Sequence, residues 1–191
     1  FAQLTRHTTQ THRFDLYKQS STYRSAIFPG TRIFLRAFDG TYVQPSLRKV
    51  ISRHEKRSFL QRWTVSAGYR RREKHSPYII CSGEEILLRS HQGRYLSSND
   101  AGCPVSTTGI GRKPDHRLWW RVVRHNEDKS RSSTDFVRSF QTRLSPIRSG
   151  DLVRLVSLSS GHTLCSSNNE ICIAKSKNES IRAQHLFTIV I

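Results

Sequence analysis

Three stretches of the chain alternate apolar and polar positions with a period of two, and each breaks at a glycine before an apolar residue returns. They are Arg32-Ile-Phe-Leu-Arg-Ala-Phe-Asp-Gly-Thr-Tyr-Val, Glu85-Ile-Leu-Leu-Arg-Ser-His-Gln-Gly-Arg-Tyr-Leu and Asp151-Leu-Val-Arg-Leu-Val-Ser-Leu-Ser-Ser-Gly-His-Thr-Leu. A period of two predicts strands with one buried face. At Asp39-Gly40, Gln92-Gly93 and Ser160-Gly161 the pattern predicts hairpin turns, with glycine supplying the positive φ. The apolar partner returns three residues after each glycine, at Val43, Leu96 and Leu164. Each unit then closes with an aromatic and a β-branched residue two apart: Trp63 and Val65, Trp120 and Val122, Phe187 and Ile189. The closing aromatic follows its turn glycine by 23, 27 and 26 residues, and Trp63, Trp120 and Phe187 are predicted to be core. A single unit of this kind cannot bury its apolar face alone. With almost no helical periodicity between them, the three are expected to share one core in a closed all-β body.

This pattern resembles the β-trefoil superfamily over residues 30–191. The apolar strand, glycine, aromatic and following Leu or Val are most similar to fascin-like, actin-crosslinking repeats, and the third unit is similar to the MIR type. The resemblance implies an all-β fold: a β-trefoil of three hairpin-rich repeats at about 30–66, 83–124 and 150–191, behind a basic N-terminal extension over 1–29. Gln61-Arg62-Trp63 matches the QxW signature of ricin-B-like lectins, whereas Leu118-Trp119-Trp120 and His185-Leu186-Phe187 do not, so a ricin-type sugar site is not implied. Polar stretches at 66–76 and 124–150 interrupt the repeats and read as surface loops, the second with a short helix around 134–142.

Charge changes the picture. Among 191 residues, 32 Lys and Arg against 14 Asp and Glu give a formal net charge of +18, which calls for a polyanionic partner. Arg32 to His75 alone carries twelve basic and three acidic residues. Arg48, Lys49, Arg53, Lys56, Arg57, Arg62, Arg70, Arg71, Arg72 and Lys74 form a stripe there, read as an RNA-binding face. Of the 32 cations 24 are Arg, whose planar fork binds phosphate bidentately and stacks on bases, beyond what a solvated face requires. His54, Tyr69 and His75 are candidates for stacking. Structured RNA is favoured over DNA because the sequence lacks the helix-turn-helix, zinc-finger and basic-zipper patterns.

The expectation is therefore a non-catalytic structural component of a large ribonucleoprotein, a mitochondrial ribosome above all, contacting rRNA and neighbouring proteins. The absence of Met and the Ser/Thr-rich, basic start with Arg6, Arg13, Lys18 and Arg24 suit a matrix protein whose leader has been cut, or a basic arm. The alternatives are an actin- or glycan-binding trefoil, with Tyr95, Asn99 and Asp100 as a possible sugar floor, and a lipid-binding accessory subunit of an organellar membrane complex. No nucleophile elbow, HExxH or phosphate-binding glycine loop is present, and Glu84 and Glu85 point to opposite strand faces, so no enzyme, cofactor or small-molecule substrate is expected. Cys81, Cys103, Cys165 and Cys172 lack metal-ligand spacing and read as ordinary thiols, although two disulfides are possible. The longest apolar stretches, 77–82 and 186–191, fall far short of a membrane span.

Overall fold

A computed structural model of the chain describes residues 26–46, 49–54, 57–67, 79–98, 106–108, 116–125, 145–167, 170–174 and 183–191. Among the described residues, twelve strands fall into three sets of four. The first set is β1 (Arg32–Ala37), β2 (Tyr42–Pro45), β3 (Val50–Arg53) and β4 (Trp63–Ala67). The second is β5 (Glu85–Ser90), β6 (Tyr95–Ser97), β7 (Ser106–Thr108) and β8 (Trp120–Arg124). The third is β9 (Leu152–Ser157), β10 (Thr163–Ser167), β11 (Glu170–Ala174) and β12 (Phe187–Val190).

The first and last strands of each set build a barrel. β1 pairs with β4, β4 with β5, β5 with β8, β8 with β9, β9 with β12, and β12 returns to β1, every pair antiparallel. Closure gives each barrel strand a partner on both sides, which removes the unpaired edges an open sheet would carry. The inner strands of each set form the hairpins β2–β3, β6–β7 and β10–β11. This is a β-trefoil, the architecture expected from the repeats.

The registers of the three sets superimpose residue by residue. Ile33 lies opposite Trp63, Ile86 opposite Trp120, and Val153 opposite Phe187. These three aromatics are fully buried, as are Val43, Leu96 and Leu164, the apolar residues that follow each hairpin. The indole N–H of Trp63 donates to the Val43 carbonyl at 3.0 Å, and that of Trp120 to the Leu96 carbonyl at 3.1 Å. Each Trp thus fills the core and ties the closing strand to its own hairpin. The hairpin glycines Gly40, Gly93 and Gly161 have φ of 84°, 77° and 69°.

A second threefold feature precedes the strands and was not singled out from the sequence. The amide of Ile27 donates to the carbonyl of Ile147 at 2.9 Å, that of Ile147 to Ile80 at 2.8 Å, and that of Ile80 to Ile27 at 2.8 Å. All three side chains are buried in the core. Each Ile stands three residues before a glycine, Gly30, Gly83 or Gly150, at φ of 90°, 87° or 93°, where the chain turns sharply into its first strand. The residue after that glycine locks the turn through its side chain: Thr31 accepts from the Phe28 amide, Glu84 from Cys81 and Asp151 from Arg148, at 3.0, 2.9 and 2.8 Å. Asp151 also accepts from Arg124 Nε at 3.1 Å and Nη2 at 2.5 Å, clamping β8 to the third repeat.

Cys165 and Cys172 stand opposite one another on β10 and β11 and form a disulfide, with Cα atoms 5.1 Å apart. Their spacing in sequence carries no disulfide signature, so the ordinary-thiol reading fails at this pair: hairpin register brings them together. The short helix expected around 134–142, most of the 1–29 extension and residues 68–76 of the first loop lie outside the described residues, while Ser66 and Ala67 belong to β4. Among the described residues no helix is long and apolar enough to cross a membrane.

Two stability measurements follow from this packing. Trp120→Ala removes both a fully buried ring and its hydrogen bond, and is expected to lower unfolding free energy by about 3–5 kcal/mol in urea titrations. Reducing the Cys165–Cys172 bridge, or replacing both residues by Ser, is expected to cost about 2 kcal/mol, with the unreduced intact mass two hydrogens lighter than the reduced one. An unchanged midpoint on reduction would show that the bridge does not form.

Candidate binding groove

Alternation along the barrel strands leaves one face inside and one outside. On β1 the inward residues are Ile33, Leu35 and Ala37, so Arg32, Phe34 and Arg36 point outward. On β4, Trp63 and Val65 are inward and Thr64 and Ser66 outward. On β5, Ile86, Leu88 and Ser90 face in and Arg89 faces out. Register then sets Arg32, Thr64 and Arg89 side by side across three strands, with Thr64 in the middle.

Around this row lies an open groove of about 420 Å³. Arg62 enters from the start of β4. Phe59 enters from the one-turn 3-10 helix Phe59–Gln61, and His91 from the β5–β6 turn. Phe59 is 62% exposed, uncommon for so large an apolar ring, and meets His91 edge to face at 5.3 Å. The Gln61 side chain accepts from the Ser58 amide at 3.0 Å, which fixes the turn that presents Phe59. No Asp or Glu lines the groove among the described residues. Its chemistry is three exposed guanidiniums, hydroxyls from Thr64 and Ser66, and the Phe59–His91 ring pair.

One flank of the groove is braced by Phe34. Its ring is nearly buried and packs edge to face on Tyr42 at 6.0 Å, while Arg57 and Arg62 lie over it at 5.7 and 5.9 Å. Arg57 Nε also donates to the Tyr42 hydroxyl at 3.4 Å. Each cation–ring contact contributes about 0.5–1 kcal/mol at an exposed site and holds its guanidinium in place. Elsewhere burial lowers the pKa of the Arg154 guanidinium on β9; the groove cations are in contact with solvent.

Of the basic stripe named from the sequence, Arg57 and Arg62 are brought together over Phe34. Arg53 shares their outer face through its register with Tyr42, and Lys49 is exposed between β2 and β3. Arg48, Lys56, Arg70, Arg71, Arg72 and Lys74 lie outside the described residues, as do Tyr69 and His75; His54 is exposed at the end of β3. Tyr95 is half-buried on β6, and Asn99 and Asp100 are outside the description. Arg32, Phe59, Arg89 and His91 were not assigned to a site from the sequence. Their adjacency follows from the registers of β1 with β4 and of β4 with β5, which no local pattern in the sequence signals.

No protein-family model matches the chain, and no curated protein matches it in sequence. Solved structures do match in fold. The SDF2-like protein from Arabidopsis thaliana aligns with a TM-score of 0.67 at 16% identity over 86% of this chain and 94% of that one. The Saccharomyces cerevisiae protein O-mannosyltransferase Pmt1–Pmt2 complex, bound to the sugar donor, aligns with a TM-score of 0.66 at 16% identity over 87% of this chain and 25% of that one. The BEL β-trefoil aligns with a TM-score of 0.58 at 17% identity over 87% and 96%. At these identities the shared property is the β-trefoil fold.

If Phe34 orders the flank, Phe34→Leu keeps an apolar side chain there but removes the ring under Arg57 and Arg62. Its expected cost is about 1 kcal/mol in urea titration, with a larger exchange rate for the Arg62 Nε–H.

Proposed function

We propose that this chain is a non-catalytic, glycan-binding β-trefoil module. The observation that carries the reading is the groove between β1, β4 and β5: a concavity of about 420 Å³, within the range of sites for small ligands. It combines an exposed ring pair for the apolar face of a sugar with hydroxyl and guanidinium donors for its oxygens. Such a lining holds a ligand by shape and hydrogen bonds.

The disulfide bears on the same choice. A bridge such as Cys165–Cys172 persists in oxidising compartments and is rare where glutathione keeps thiols reduced. It supports a secretory or extracellular setting, rich in glycans, over the mitochondrial matrix. RNA is the second reading because 24 of 32 cations are Arg and twelve basic residues cluster between Arg32 and His75. Both ligands are acidic chains or can be, and they separate in salt dependence and in the part played by Phe59.

Retention of the purified chain on immobilised glycans and on a structured RNA, compared at 0.05 and 0.2 M salt, tests the reading. Glycan binding is expected to weaken far less with salt than binding along a phosphate backbone would, and to fall about tenfold or more in Phe59→Ala, since truncating an aromatic hot-spot contact typically costs about 2 kcal/mol. Retention on RNA alone, weakening steeply with salt and indifferent to Phe59, would transfer the function to phosphate-backbone binding.

A further inference from the structure

The pseudo-threefold register allows the groove to be compared with its two equivalents. The row Arg32–Thr64–Arg89 spans β1, β4 and β5. The corresponding row on β5, β8 and β9 is Glu85–Arg121–Val156. On β9, β12 and β1 it is Leu152–Thr188–Arg36. The backbone is the same three times, yet the chemistry is not. The second row sets opposite charges in register and is neutral overall; the third flanks its hydroxyl with one cation and one apolar residue. The first alone among these rows has two guanidiniums flanking a hydroxyl.

That arrangement gathers positive charge on one sheet face with no counter-charge in the row. Arg32 and Arg89 rise from strands separated by one intervening strand, so their backbones are about 10 Å apart, and both side chains can reach inward over Thr64. Arg62 completes the cluster from the flank, its guanidinium steadied over Phe34 at 5.9 Å. Three forked donors lining one groove with Thr64, and no lining carboxylate among the described residues to neutralise them, match a tetrahedral oxyanion that accepts several charge-assisted hydrogen bonds at once. Beside it, the exposed Phe59–His91 pair offers a surface for the ring that carries the anion.

We infer that the β1–β4–β5 groove is a site for one sulfate or phosphate ester borne on a sugar, present at one of the three equivalent rows despite the threefold fold. The inference rests on the glycan reading for the sugar, while the oxyanion subsite stands on Arg32, Arg62 and Arg89. An ester over Thr64 would supply the counter-charge that Arg32 and Arg89 lack in their row, and neither of the two equivalent rows sets two cations about a hydroxyl.

The test is calorimetry on the purified full chain with four probes: a sulfated disaccharide, a sugar phosphate and the unsubstituted counterpart of each. Side-chain Nε–H resonances of Arg32, Arg62 and Arg89 are followed in parallel. The charged probes are expected to bind about tenfold or more tightly than their unsubstituted counterparts, and the tighter of the two names the ester. Arg32→Gln and Arg89→Gln, both at exposed positions, should each weaken binding about tenfold, whereas Arg36→Gln and Arg121→Gln should leave it within about twofold. Unchanged thermal melts confirm that all four variants fold.

Equal affinity for charged and unsubstituted sugars, with Phe59→Ala still weakening both, would overturn the oxyanion site and leave glycan binding standing. Losses of equal size in all four Arg variants, whether on glycan or RNA, would overturn it in favour of a diffuse cationic surface. If no sugar binds but methyl sulfate or methyl phosphate still shifts the three Arg resonances, the subsite is upheld and the glycan reading falls.

Discussion

The three-membered ring of backbone hydrogen bonds through Ile27, Ile80 and Ile147 is the constraint on which the molecule is built. It joins residues 53 and 67 apart in sequence and uses no side-chain polarity, so it forms only when all three repeats have converged. From each Ile the chain turns at a positive-φ glycine into the first strand of a repeat, and the amides of Gly30, Gly83 and Gly150 each bond the closing strand of their own repeat at 2.7 Å. Ring, turn and barrel are therefore coupled. Buried amides and carbonyls that would be costly if unpaired are satisfied across repeats, and the arrangement fixes the pseudo-threefold axis.

Once the axis is fixed, the two faces of each barrel strand answer to different demands. The inner face must fill one closed volume three times over, which restricts it to Trp63, Trp120, Phe187 and their aliphatic partners. The outer face meets solvent and is free to diverge. The three equivalent rows show that freedom directly: Arg–Thr–Arg, Glu–Arg–Val and Leu–Thr–Arg occupy the same backbone positions. Function has room to appear where packing imposes least, and in this chain the broken symmetry concentrates charge at the junction of the first and second repeats.

Aromatic residues mediate between these faces. Phe34 is an outward residue on β1, yet it is nearly buried because Tyr42, Arg57 and Arg62 close over it. Phe59, a few residues before the core Trp63, projects outward because its 3-10 turn is held by Gln61. The two rings thus serve opposite ends. One anchors cations against the barrel wall and the other remains available at the mouth of the groove.

The repeats, their turn glycines and their buried aromatics were legible in the sequence because they are local and periodic: a strand shows its buried face every second residue, and a hairpin needs a residue that tolerates positive φ. The excess of Arg over Lys is likewise a property of composition alone. What the sequence did not disclose depends on register between distant strands. Arg32 and Arg89 are 57 residues apart and become neighbours only because β4 lies between β1 and β5. Cys165 and Cys172 carry no spacing signature, and only hairpin register sets them face to face. The Ile-x-x-Gly turns were present in the sequence three times, but their meaning lies in hydrogen bonds between repeats. Local periodicity determined the elements; closure of the barrel decided which of their outward side chains meet.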